Sequence, residues 1–147
     1  MKKSLYILLF FSINLSAFAQ NFNLTDTVFE VNDTWVSRDI LFDFDKPVFQ
    51  KESYKTLDSL HHFLVSNPNV HIEITNHCDE RFSNKYSTCL TCKRAKAVEV
   101  YLLDKGITQE RLVSKGMNDI TPMRVNAQSE DEHSLNRRTE VRIIAIK

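Results

Sequence analysis

The 147 residues include only two glycines, three prolines and three cysteines, and acidic and basic side chains balance at 19 each. Each of these scarcities excludes something. With Gly106 and Gly116 as the only glycines, no glycine-rich loop can cradle a phosphate. A chain without basic excess is a poor partner for nucleic acid, which is bound by displacing its counterions. No apolar run beyond residue 19 approaches the roughly 20 residues that span a bilayer. The histidines form no catalytic set. His61 and His62 adjoin each other in a helical stretch, and His77 has no serine nucleophile or paired acid in register. No cofactor is implied, and an enzyme is not expected.

What is present starts at the N-terminus. Met1-Lys2-Lys3 is a short basic segment, Leu5 to Leu15 is apolar apart from Ser12 and Asn14, and Ala17-Phe18-Ala19 offers small residues at the positions a signal peptidase reads. Residues 1–19 therefore read as a signal peptide cleaved before Gln20, against the alternative of a retained anchor. No cysteine lies near that point to accept a lipid. Cleavage removes two lysines and no acid, leaving a slightly acidic exported chain. Its length suits one domain.

Residues 20–37 read as a polar leader with one short strand near Val28 to Val31, and residues 38–147 as a single domain. Arg38 to Phe44 alternates with the period of a half-buried strand, and Asp45-Lys46-Pro47 breaks it. From Lys51 to Ser66 the apolar residues Tyr54, Leu57, Leu60 and Leu64 recur at helical spacing, and Asn67-Pro68-Asn69 stops the run. Val70, Ile72 and Ile74 alternate as a second strand, and a polar loop is expected from Asn76 to Leu90. Thr91 reads as the N-cap of a second helix that buries Ala95, Val98 and Leu102 and ends at Gly106. Arg111 to Lys115 is a short strand, Gly116 to Glu132 an irregular segment, and Arg138 to Ile146 the last strand. The expected fold is α+β, a two-layer β-α-β-α-β-β sandwich with both helices on a small mixed sheet.

The chain from Ile40 to Ile146 resembles the OmpA-like C-terminal domain, and in motif it is most similar to the peptidoglycan-associated lipoproteins. The resemblance is carried by Ile40-Leu41-Phe42-Asp43-Phe44-Asp45-Lys46, by Ile72-Glu73-Ile74, and by His77-Cys78-Asp79-Glu80-Arg81, which is close to the lipoprotein H-A-D-E-R. Leu90-Thr91 with Arg94-Ala95 matches the family's L-S-x-x-R-A. Lys105-Gly106-Ile107, Arg111-Leu112, Gly116-Met117, Pro122, Asn126 and Asn136-Arg137-Arg138 follow in family order.

The resemblance implies an exported periplasmic protein that ties the outer membrane to the cell wall by binding the peptidoglycan peptide stem at diaminopimelate. It places Asp79 and Arg94 at the ligand, and Thr91, Leu90 and Arg138 are candidate ligand residues beside them. The chemistry fits: an aspartate accepts from an ammonium, a guanidinium grips a carboxylate through two parallel hydrogen bonds, and a helix start favours the same anion. Read from the residues alone, Asp79 and Arg94 could instead pair with each other as a structural bridge. Asn136-Arg137-Arg138 opens the last strand and reads either as a second polar wall beside the site or as a strand edge solvated by its arginines; the mainly structural role is favoured, with Arg138 holding the loop.

The sequence departs from the family at four positions. Asn76 and Phe82 stand where the family has glycine, Cys78 where it has threonine or alanine, and Ser87 where it has asparagine. A bulky Phe82 resists the positive φ that glycine permits, so the loop is expected to run differently and to reshape the pocket. Cys78, Cys89 and Cys92 flank the site. A disulfide among them, a zinc site built with His77, and a redox pair at Cys89-x-x-Cys92 are the alternatives they offer. The other functional reading is an OmpA-like scaffold without the ligand, binding another outer-membrane or periplasmic protein around Phe82.

Overall fold

The computed structural model describes residues 20–81, 84–118 and 122–147, without side chains for 82–89 and 118–121. The signal-peptide reading of residues 1–19, and the readings that rest on Phe82, Ser87 and Cys89, lie outside what is described. In chain order the elements are β1 (Thr34–Ser37), α1 (Ser53–Ser66), β2 (Val70–His77), α2 (Asn84–Asp104), a 3-10 turn (Gln109–Arg111), β3 (Leu112–Asn118), α3 (Glu130–Asn136) and β4 (Thr139–Ile146).

The strands form one mixed sheet in the order β1-β4-β2-β3. β2 and β3, joined through α2, run parallel, while β4 lies antiparallel to both β1 and β2. Helical spacing brings Leu57, Leu60, Phe63 and Leu64 of α1 onto one buried stripe, and Ala95, Val98 and Leu102 of α2 onto another. These stripes meet Val70, Ile72 and Ile74 of β2 and Val141 and Ile143 of β4 in a single core, so the two long helices share one face of the sheet. Alternation turns the other β2 side chains to the opposite face, where Glu73 bonds Arg142 at 2.6 Å and also pairs with Lys115.

Two local features follow directly from residue type. Gly106, at φ +93°, closes α2: its amide bonds Leu103 O and the Ile107 amide bonds Leu102 O, the paired bonds of a glycine helix stop. Gly116 lets β3 pass against α2, because a Cβ there would overlap the Cys92 amide nitrogen and the Thr91 hydroxyl.

The structure corrects several sequence expectations. Arg38 to Phe44 is not a sheet strand. It runs into a small loop closed by a Phe42–Phe49 bridge, with Asp43 N bonded to Val48 O and Gln50 N to Leu41 O. The alternation was real for Ile40, which is buried, but it fails at Phe44, which is 86% exposed. The strand beside β4 is Thr34–Ser37 instead, and Val28 to Val31 is not one.

Helix α2 begins at Asn84, so the second half of the loop expected from Asn76 to Leu90 is helical. Thr91 is a fully buried residue within the helix rather than its cap. Tyr54, expected on the core stripe, is partly exposed and stacks instead near Phe49 and Tyr101. The segment to Glu132 ends in an unexpected third helix, α3. Ser129 caps it by accepting from the Glu132 amide at 3.2 Å.

Candidate functional site

A cavity of about 340 Å³ opens beyond the end of β2, between the 41–50 loop and the α3–β4 junction. Asp79 reaches it just after β2, Arg94 from α2, and Arg137 and Arg138 from the turn into β4. Among the described residues its wall carries four guanidiniums, on Arg81, Arg94, Arg137 and Arg138, against three carboxylates, on Asp45, Asp79 and Glu130. Glu140, bonded to Arg138 at 2.6 Å just outside the lining, balances the fourth guanidinium, so the wall offers fixed charges of both signs.

Asp79 and Arg94 share this cavity without forming the simple ion pair that was the structural alternative. Asp79 is fully buried. Its Oδ1 accepts from the Arg81 amide and from Arg81 Nε, each at 3.1 Å. Its Oδ2 accepts from Arg81 Nη2 at 2.6 Å and from Arg137 Nη1 at 2.7 Å. Burial alone would push the Asp79 carboxyl up, but these bonds from Arg81 and Arg137 outweigh it and hold the pKa at about 2. Both arginines continue to Glu130, Arg81 Nη1 at 2.9 Å and Arg137 Nη2 at 2.6 Å. The result is a closed ring of two carboxylates and two guanidiniums.

Arg94 is held differently. Its Nε donates to Lys46 O at 3.1 Å and its Nη2 to Asp43 O at 3.2 Å, and the guanidinium lies 5.0 Å above the centre of the Phe42 ring. It therefore ties α2 to the 41–50 loop. The other side of that loop is pinned by the buried Ser53, whose hydroxyl accepts from Leu41 N and donates to Leu41 O, both at 2.7 Å.

Arg138 is buried, donating from Nε to Glu140 Oε1 at 2.6 Å and from Nη1 to Asn136 O at 3.2 Å. The His77 imidazole lies 3.6 Å from the other Glu140 oxygen. His77 lowers the Glu140 pKa, burial opposes it and Arg138 reinforces it, so that it sits at about 2. Asn76, where the family has glycine, is buried in the cavity wall. It donates to Thr139 Oγ1 at 3.1 Å, and its own Oδ1 has no partner among the described residues.

Of the expected ligand residues, the structure thus brings Asp79, Arg94 and Arg138 to one cavity. Leu90 and Thr91 are buried and are not among its lining residues. Arg81 and Glu130 were not singled out from the sequence, and Arg137 only as part of the Asn136-Arg137-Arg138 run beside the site. Arg81 and Arg137 lie inside the two quoted motifs, whereas nothing marked Glu130. Among the described residues no three His, Cys, Asp or Glu side chains gather as a metal cage. Cys78 is buried, and Cys92 is exposed and unbridged.

Comparison with known proteins agrees with this architecture. The model of the OmpA family matches residues 41–137, about two thirds of the chain. The chain belongs to the OmpA family. This OmpA-family domain is 31% identical over 110 residues to outer membrane porin F of Pseudomonas fluorescens, covering 75% of the chain and 33% of that protein. It is also 31% identical over 102 residues to the peptidoglycan-associated lipoprotein of Buchnera aphidicola, covering 69% of the chain and 58% of that protein. The chain thus spans a third to somewhat over half of these relatives. The crystal structure of the peptidoglycan-associated lipoprotein from Burkholderia pseudomallei superposes with a TM-score of 0.64 at 28% identity, covering 71% of this chain and 87% of that one. The mixed sheet with helices on it is the OmpA-like fold, and the domain is homologous to peptidoglycan-associated proteins.

Proposed function

We propose that this OmpA-family domain is exported and binds the peptide stem of peptidoglycan at diaminopimelate, non-covalently, tethering the outer envelope to the cell wall. The observation that carries the reading is the meeting of Asp79 and Arg94 in one cavity whose described wall holds both guanidiniums and carboxylates. Diaminopimelate bears carboxylates and ammonium groups, and the stem around it adds further carboxylate. A wall of fixed, mixed charge suits that ligand.

Arg94 is anchored through Nε and Nη2 on loop carbonyls, so its guanidinium is held over the cavity when a carboxylate arrives. Asp79 has all of its roughly four lone-pair sites engaged. A ligand ammonium takes one of them by exchange. The cheapest exchange is with Arg137, which gives Asp79 one bond where Arg81 gives three.

The test is sedimentation with purified diaminopimelate-type peptidoglycan. The unaltered protein should co-sediment, and Asp79→Ala and Arg94→Ala should stay in solution. If the unaltered protein also stays in solution, under both oxidising and reducing conditions, stem binding is excluded.

A further inference from the structure

Glu130 stands where a guest carboxylate would. It is the first residue of α3, and its side chain is 65% exposed at the cavity mouth. One carboxylate oxygen meets each arginine: Oε2 accepts from Arg81 Nη1 at 2.9 Å, and Oε1 from Arg137 Nη2 at 2.6 Å. On their inner sides the same two arginines are fastened to the fully buried Asp79. Two guanidiniums are therefore fixed from beneath and turn their outer N–H groups upward as a fork. Such a fork recognises a carboxylate by two charge-assisted bonds, one to each oxygen. Asp79 cannot leave without unpairing two cations next to a buried anion. Glu130 can, because it is at the rim and water receives it.

We propose that the gap between Arg81 and Arg137 is a carboxylate subsite that Glu130 fills as an internal competitor, and that a ligand carboxylate binds there by displacing it. The identity of the natural ligand rests on the stem-binding reading, but the subsite itself needs only a carboxylate. The exchange replaces like with like, so both arginine bonds are remade. An ammonium that takes the place of Arg137 Nη1 on Asp79 leaves Arg137 its Nη2 for the fork, while Arg81 keeps its three bonds to Asp79. A stem carrying more than one carboxylate can then place one on Arg94 and another in the fork. Glu130 sets the affinity threshold, selecting guests that bring a carboxylate over those that bring only an ammonium.

The experiment compares the full chain with Glu130→Gln, Glu130→Ala and the control Asp131→Asn. The control removes the same charge from the same helical turn, but the Asp131 carboxylate bonds neither arginine. Each protein is titrated with glutarate, a free dicarboxylate resembling the glutamate side chain, while the Nε–H resonances of Arg81 and Arg137 are followed by NMR. The same titrations are run with meso-diaminopimelate and with lysine, which is diaminopimelate lacking one carboxylate.

Both Glu130 variants should bind glutarate about two- to fivefold more tightly than the unaltered protein, the scale of one surface ion pair removed. The Asp131 control should match the unaltered protein. Diaminopimelate should show the same gain and lysine a smaller one. Equal glutarate affinity in the unaltered and Glu130-substituted proteins, or an equal gain in the control, overturns the subsite. If glutarate behaves as expected while none of the proteins binds diaminopimelate, the subsite stands and the stem reading fails.

Discussion

Arg81 grips Asp79 along the whole carboxylate, with Nη2 on Oδ2 at 2.6 Å and Nε on Oδ1 at 3.1 Å, while its own backbone amide bonds Oδ1 as well. One residue thus satisfies most of a buried anion only two positions before it. The turn after β2 is built around this pair, and Arg137 joins it from the far end of the chain.

The pair makes stability depend on acid. The Asp79 pKa is depressed from the ordinary 3.8 to about 2 in the folded protein. Its contribution is fully present above about pH 4 and is lost as pH falls through about 2, because the unfolded chain takes up the proton first. Asp79→Asn should therefore lower unfolding free energy by about 2 kcal/mol at pH 7, below the usual cost of breaking a buried pair because both arginines are partly exposed. Urea unfolding at pH 7, 4 and 2.5 should show the gap between the two proteins narrowing only below pH 4. A gap that stays constant down to pH 2.5 contradicts the assignment.

Arg94→Lys separates charge from shape. Lysine keeps the cation but cannot span two carbonyls while lying flat over Phe42. The expected result is a loosened 41–50 loop, seen as faster hydrogen exchange at the Asp43 and Gln50 amides, together with weaker co-sedimentation with the wall. Unchanged exchange at both amides would show that Arg94 does not hold the loop.

Ser53→Ala tests the same loop from the other side. Removing the hydroxyl takes two 2.7 Å bonds from the Leu41 backbone at a buried position. Leaving those groups unsatisfied should cost about 1–3 kcal/mol in denaturant unfolding, with helix content by circular dichroism unchanged.

Gly116→Ala should be worse than its size suggests. The added methyl meets the Cys92 amide nitrogen, a main-chain atom that cannot swing aside, as well as the Thr91 hydroxyl and Cys92 Sγ. Separating β3 from α2 to admit it should cost about 1–3 kcal/mol and lower Tm by several degrees in calorimetry. Gly106→Ala should also destabilise, but by the strain of a positive φ, since nothing lies within 4 Å of its missing Cβ.

The sequence was most legible where one period ran through a buried element. Leu57, Leu60 and Leu64, then Val70, Ile72 and Ile74, then Ala95, Val98 and Leu102 all turned inward as their spacing required. It misled where alternation was not accompanied by strand pairing. Ile40 and Phe42 do turn toward the interior and its edge, yet the backbone between Leu41 and Gln50 folds onto itself and leaves Phe44 in water. It also hid β1, whose four residues show no clean alternation and are a strand because β4 pairs with them.

The site divides the same way. Asp79, Arg94 and the Asn136-Arg137-Arg138 run could be found in the sequence because residue type and motif order mark them. The ring that Arg81, Arg137 and Glu130 form around Asp79 could not, since these residues are ordinary surface charges until folding brings them together.

By itself, the sequence determined the α+β class, both long helices, the glycine stop at Gly106 and the family, because each is written in local spacing or contiguous motif. Only the tertiary structure decided that β4 lies between β1 and β2, that Thr91 is packing rather than a cap, and that Asp79 is enclosed by two arginines bridged by Glu130. Those facts join residues 49 to 58 positions apart in the ring and up to 108 apart in the β1–β4 pairing. Such contacts depend on how the sheet closes, and no local period along the chain encodes that.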